Sequence, residues 1–236
     1  MILITLDIDW ASDFTIKKVD EILKEKNIKA TWFVTHKSAY LKNLSKNRNY
    51  ELGIHPNFLP NTTQGKTPKE ILNKLKKIVP SAVSLRTHSL HQNSHLLSLY
   101  KDYGIKFDTS LLLYKTKNIK PHYHPLFELH RVPFFWEDDV EVYEKNPDWS
   151  FKSTKHIPGL KIYNFHPIHI ILNTNNMNDF KKIQKKIEVN SLNDETLQKY
   201  VNKKKGVRDV FLEILEFLQS KKMFTVNEVI KNRLSV

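Results

Sequence analysis

Short apolar runs alternate along this chain with stretches whose apolar positions recur every three to four residues, the period of a helix with one buried face. Residues 2–8 read as a strand. Residues 13–26 then carry Phe14, Val19, Ile22 and Leu23 at helical spacing. Residues 30–35 are β-branched and aromatic, which predicts a second strand. A helix over 38–46 and a strand over 50–55 follow. Thr67, Pro68 and Glu70 predict a capped helix start, with Glu70 closing a capping box and the helix running to about Val79. A strand over 82–88, a helix over 94–103 stopped by Gly104, and a short strand over 105–108 continue the alternation. Between residues 111 and 158, rich in Pro, His and aromatics, the periodicity breaks down. Long loops are expected there, with an extended piece over 129–136. A strand over 160–165, an amphipathic helix over 207–220, a last short strand over 224–226 and a helix beginning at Asn227 end the chain. Six or seven βα units in series predict an α/β barrel or an open parallel sheet. No linker or repeat interrupts them, so one domain over 1–236 is expected.

The chemistry sits where strands stop. The first ends in Asp7-Ile8-Asp9, and side-chain alternation puts both carboxylates on one face. Two like charges so placed call for a cation between them, or for one ligand and one base. Later strands end in His55, in Arg86 and His88, and in His166. In parallel α/β folds the carboxyl ends of the strands share one face, where sites form. The recurrence of Asp and His there predicts a metal site with acid–base groups around it.

Composition narrows the classes. The 236 residues are 40% hydrophobic, enough for a large core, and contain no cysteine. Any metal must therefore be held by His, Asp, Asn or Glu. The net charge is +13, but apart from 203–205 the lysines are dispersed over solvated helix faces. Nucleic acid is thus not the expected partner, although an anionic substrate is compatible. The first apolar stretch is too short for a signal peptide and no run suits a membrane span, so a cytoplasmic protein is expected.

The motifs Thr5-Leu6-Asp7-Ile8-Asp9-Trp10, Ala30-Thr31-Trp32-Phe33-Val34, Glu51-Leu52-Gly53-Ile54-His55-Pro56-Asn57, Leu85-Arg86-Thr87-His88, Arg131 to Asp139 and Asn164-Phe165-His166-Pro167 stand in an order that resembles the polysaccharide deacetylases with NodB homology, the carbohydrate esterase family 4 type. The WbmS-like subgroup, found with surface-polysaccharide genes, is the nearer resemblance. It implies an irregular (β/α)7 barrel and a divalent metal, usually Zn²⁺, held by one Asp and two His. Carried over by motif, Asp7 resembles the general base, Arg86 its partner, Asp9 and His55 metal ligands, and His166 the general acid. Two departures stand out. Ile8 separates aspartates that are usually adjacent, and Leu59 occupies the place of a second ligand His. His88 is the expected third ligand, with Asn57 and His91 as weaker candidates. Asn57, His91, Trp136 and Asp138 are the expected substrate contacts, Trp136 by stacking on a sugar ring. The activity implied is deacylation of an N-acylated sugar in the synthesis of O-antigen, lipopolysaccharide or capsule, the sugar being nucleotide- or lipid-linked or part of a polymer. A catalytically weakened sugar-binding homologue is the alternative. A glycosyltransferase using the Asp-x-Asp pair is a weaker one, since it leaves the strand-end histidines without a role.

Overall fold

Nine strands form the centre of the computed structural model, which describes residues 1–188 and 191–230. They are β1 (Ile2–Asp7), β2 (Ala30–Val34), β3 (Tyr50–Ile54), β4 (Ser84–Leu85), β5 (Phe107–Asp108), β6 (His122–His124), β7 (Leu129–Arg131), β8 (Trp136–Glu137) and β9 (Lys161–Phe165). Their order across the sheet is β6-β7-β5-β4-β3-β2-β1-β9-β8. All pairs are parallel except β6 with β7. The two ends of this order meet in one stretch of chain. β7 pairs with β5 while β8, a few residues on, pairs with β9. Between them the Phe134 N–H donates to the Leu111 carbonyl and the Phe135 N–H to the Ile162 carbonyl, both at 2.9 Å. Pro133 stands at this junction, where its missing N–H removes no ladder bond. With β6 lying outside the ring, antiparallel on β7, the ring closes with β7 and β8 as one strand position, which makes seven positions and the irregular (β/α)7 barrel.

Helices cover the outside: α1 (Asp13–Glu25), α2 (Leu41–Ser45), α3 (Pro68–Ile78), α4 (Ser94–Tyr100), α5 (Asp138–Glu141), α6 (Pro167–Leu172), α7 (Met177–Gln184), α8 (Asp194–Tyr200) and α9 (Val207–Leu218). Every residue of β1, β2 and β9 is buried, as expected of strands covered on both faces. Among the described residues no helix is long and apolar enough to cross a membrane.

The barrel interior is polar and hydrogen-bonded in two levels. At the amino-terminal end, Glu51 accepts from Thr31 Oγ1 at 2.9 Å and from Ser84 Oγ. The Val226 N–H donates to Thr31 Oγ1 and the Asn227 N–H to Glu51, at 3.0 and 2.9 Å. These bonds explain a difference from the sequence reading. Residues 224–226 form no strand: the Val226 N–H turns inward to Thr31, the Thr225 N–H is taken by the Glu228 carboxylate, and 226–228 make a single 3₁₀ turn. The rest of the helix expected from Asn227 runs into 231–236, outside the described residues.

Other differences are local. The helix over 38–46 shortens to α2, and the strand over 82–88 contracts to β4. Thr67 caps α3 through the Glu70 N–H, but the Glu70 carboxylate accepts from the Lys66 N–H, one residue before the cap. The segment 111–158 is not all loop: it supplies β6, β7, β8 and α5. Gly53 marks a close approach. A Cβ there would lie 2.7 Å from the Phe33 ring and 2.9 Å from the Ser84 carbonyl, so only glycine lets Phe33 lie flat against β3.

Candidate active site

At the carboxyl end of the barrel, the strand-end residues converge on a narrow cleft of about 70 Å³ lined by Asp7, His55, Arg86, His88, Glu137 and His166, among others. Asp9, His55 and His88 form one group, with a ligand-type atom from each within 4.8 Å of the others. His55 lies between the two aspartates of the first motif. Its Nε2 is 3.0 Å from Asp9 Oδ2, and its Nδ1 is 3.8 Å from Asp7 Oδ2. His88 Nδ1 is 3.4 Å from Asp9 Oδ1. Burial works against charge on His55, yet Asp7 and Asp9 draw its imidazole above the usual range. Burial would likewise raise Asp9, but His55, His88 and His166 hold it well below the carboxylate range.

One detail tests whether this group fits a cation. Asp9 Oδ2 is buried, and the approach of His55 is off hydrogen-bond geometry, so this oxygen has no donor. An orphaned buried carboxylate oxygen facing an imidazole nitrogen is costly unless a positive charge joins them. One carboxylate and two imidazoles form a donor set suited to Zn²⁺. The residues fit the metal.

Asp7 belongs to a second network. Its Oδ1 accepts from Arg86 Nη1 at 3.1 Å and its Oδ2 from Asn164 Nδ2 at 2.8 Å. Arg86 is fully buried between the Phe33 and Phe134 rings, 4.7 and 4.3 Å from their centroids. Gly53 thus reaches the site indirectly, by seating Phe33 under this guanidinium. Arg86 Nη1 also donates to Thr5 Oγ1 at 2.9 Å and to Asn164 Oδ1. Arginine can only donate, so the Asn164 oxygen must face it. The amide NH₂ is thereby aimed at Asp7 and at Glu137 Oε1, the latter 2.9 Å away.

His166 faces the cleft from the other side. Its Nδ1 donates to Asp138 Oδ1 and its backbone N–H to Asp138 Oδ2, both at 2.7 Å. This leaves Nε2 toward the cleft, 3.8 Å from Asp139 Oδ2. Burial lowers the imidazole, but Asp139 and Asp138 outweigh it and hold His166 well above the usual histidine range. Asp139 is held from behind by His169 Nε2 at 2.8 Å, and His169 Nδ1 accepts from Thr174 at 2.9 Å.

The structure thus brings Asp7, Asp9, His55, Arg86, His88 and His166 together. Two of the expected substrate contacts, Trp136 and Asp138, are placed elsewhere. Trp136 is buried, with its indole N–H donating to Glu141 at 2.9 Å, and offers no face to a sugar. Asp138 is fully buried with both oxygens engaged, so it positions His166 and cannot touch substrate. The Asn57 side chain accepts from the Leu59 N–H at 2.9 Å, an Asx turn that shapes the loop after His55. His91 is absent from the cleft lining.

Glu137, Asp139 and Asn164 also belong to the site. Glu137 and Asn164 are opposed in the β8–β9 register, a long-range pairing that no local pattern reveals. Burial pushes the Glu137 carboxyl up to about 7, helped by Asp139 and Asp7 and opposed by His166 and Arg86. The folded protein therefore holds a proton that the unfolded chain has released between about pH 4.5 and 7. Stability falls as pH rises through that window, by up to about 3 kcal/mol. In the metal-free protein Glu137→Gln is expected to abolish this slope. Urea unfolding should find the variant equal to the parent at pH 4 and more stable at pH 8. Parallel curves would exclude a neutral Glu137.

A sequence profile of the family described as WbmS-like polysaccharide deacetylase matches residues 4–184. The chain belongs to that family. A WbmS protein from Bordetella bronchiseptica, assigned as a polysaccharide deacetylase involved in O-antigen biosynthesis, is 30% identical, with a TM-score of 0.83 over 92% of this chain and 90% of that one. A Mycobacterium smegmatis protein assigned as a polysaccharide deacetylase shares 15% identity and a TM-score of 0.56 over 98% and 90%. The peptidoglycan N-acetylglucosamine deacetylase Bc1960 shares 15% and 0.52 over 97% and 86%. These two more distant likenesses concern the fold. A search of curated protein sequences gave no significant match.

Proposed function

We propose that this family member is a metal-dependent hydrolase that removes the N-acyl group from an amino sugar used in bacterial surface polysaccharide. The observation that carries this reading is the pairing of two groups across one cleft: Asp9, His55 and His88 on one side of Asp7, and His166 with Asp138 on the other. Asp9, His55 and His88 would hold the metal. When bound, the ion supplies Lewis acidity, which makes water acidic near neutral pH and polarises a carbonyl.

The chain's own groups divide the remaining work. Asp7, fixed by Arg86 and Asn164, takes the proton of the attacking water. His166 presents Nε2 to the cleft and stays protonated because two carboxylates flank it, so it can protonate the leaving sugar amine. The cleft is narrow, which limits competing water.

Two measurements test the reading together. The zinc-loaded protein should release acetate from N-acetylated amino sugars. Asp9→Asn should purify folded but with metal content reduced to background by elemental analysis, since the substitution removes the orphaned carboxylate oxygen and no core contact. Full occupancy in Asp9→Asn would remove this residue from the ligand set.

A further inference from the structure

The first motif contains an aromatic residue that the chemistry above leaves unused. Trp10 follows Asp9 in a tight turn closed by the Ala11 N–H donating to the Ile8 carbonyl at 3.1 Å. At the third position of that turn Trp10 has φ +54°, where glycine or asparagine is the favoured residue. Trp10 is 40% exposed, against 0, 2 and 5% for Trp32, Trp136 and Trp149. It stands over the cleft mouth, 6.0 Å from the His166 ring and 6.4 Å from the His88 ring. In the same cleft lining, Ser89 and Leu90 also have positive φ, +52° and +54°. A bulky side chain kept in a left-handed backbone conformation, exposed, at a site, is strain retained for a purpose other than packing.

The size of the cleft suggests the purpose. At about 70 Å³ the cleft is narrow. A cleft this narrow suits a short acyl amide better than a sugar ring, which places the ring against the lip. We infer that Trp10 is the stacking platform for the pyranose ring of the substrate, holding it while a short acyl group such as acetyl enters the cleft. This rests on the deacetylase reading and adds to it the subsite for the sugar.

The other three tryptophans are buried, so iodide quenching of fluorescence reports on Trp10. In the zinc-loaded protein, saturating N-acetylglucosamine or N-acetylgalactosamine, whichever releases acetate, should protect the fluorescence from iodide. Acetate alone should not, because it fills the cleft without covering the indole. Trp10→Ala should raise KM for acetate release roughly tenfold with kcat nearly unchanged, the pattern of lost ring binding. Trp10→Phe should restore most of the affinity. Trp10→Gly, which frees the turn of strain, should raise Tm by about 2–4 °C while losing the same affinity. Unprotected fluorescence with active enzyme, or a fall in kcat at constant KM in Trp10→Ala, would overturn the platform and leave the deacetylase reading standing. Protection by the sugars without acetate release from any of them would support the platform and overturn that reading.

Discussion

Asp7→Asn is expected to retain its metal and lose about 10²–10⁴-fold in turnover, the usual loss when a general base is removed. The expectation follows from how differently the two aspartates of the first motif are held. Asp9 offers a buried oxygen with no donor, whereas both oxygens of Asp7 already accept, from Arg86 and from Asn164. A group bound on both sides by fixed donors is oriented for proton transfer and poorly placed to rotate toward a metal. Asparagine has one acceptor where aspartate has two, and its NH₂ would oppose either Arg86 or the Asn164 amide. The variant should therefore also unfold about 1–3 kcal/mol more easily, the cost of one unsatisfied buried donor. Elemental analysis beside single-turnover acetate release separates the effects. Loss of metal in Asp7→Asn with retention in Asp9→Asn would exchange the two roles.

Much of this site is legible in the chain because barrel strands deliver their last residues to one face. Asp7, His55, Arg86, His88 and His166 each follow an apolar run, and each lies at the cleft. What escapes is set by register and burial. Glu137 and Asn164 matter because β8 pairs with β9, far apart in the sequence, and Asn164 joins Asp7 to Glu137 through that pairing. The burial of Trp136 and the exposure of Trp10 have a similar cause. Both are tryptophans beside acidic residues, but the strand turns Trp136 into the core while the turn after β1 lifts Trp10 into solvent. The strand expected over 224–226 has the right composition, yet the Val226 N–H goes to Thr31 inside the barrel and the Thr225 N–H to Glu228. The short helices α6, α7 and α8 fit too few turns for periodicity to declare them.

The largest effect on stability is expected from Arg86→Met. The guanidinium is fully buried, lies between two phenyl rings, and donates to Asp7, Thr5, Asn164 and the Thr109 carbonyl. Methionine fills part of the same volume and keeps contact with the rings, so the cavity contribution is small. The loss is electrostatic: Asp7 is left buried without its cation, and breaking such a pair from one side typically costs about 3–5 kcal/mol. Asn164 loses the donor that fixes its amide, and a flipped amide would turn its oxygen toward Asp7 and Glu137, adding repulsion to the same centre. If the uncompensated charge dominates, pairing Arg86→Met with Asp7→Asn should recover about 0.5–3 kcal/mol of the summed single-variant losses. Urea unfolding of the parent, both single variants and the double variant, all stripped of metal, completes the cycle. Strict additivity, or a cost below about 1 kcal/mol for Arg86→Met, would mean that ring packing and backbone contacts, not the Asp7 pair, hold the centre of the barrel.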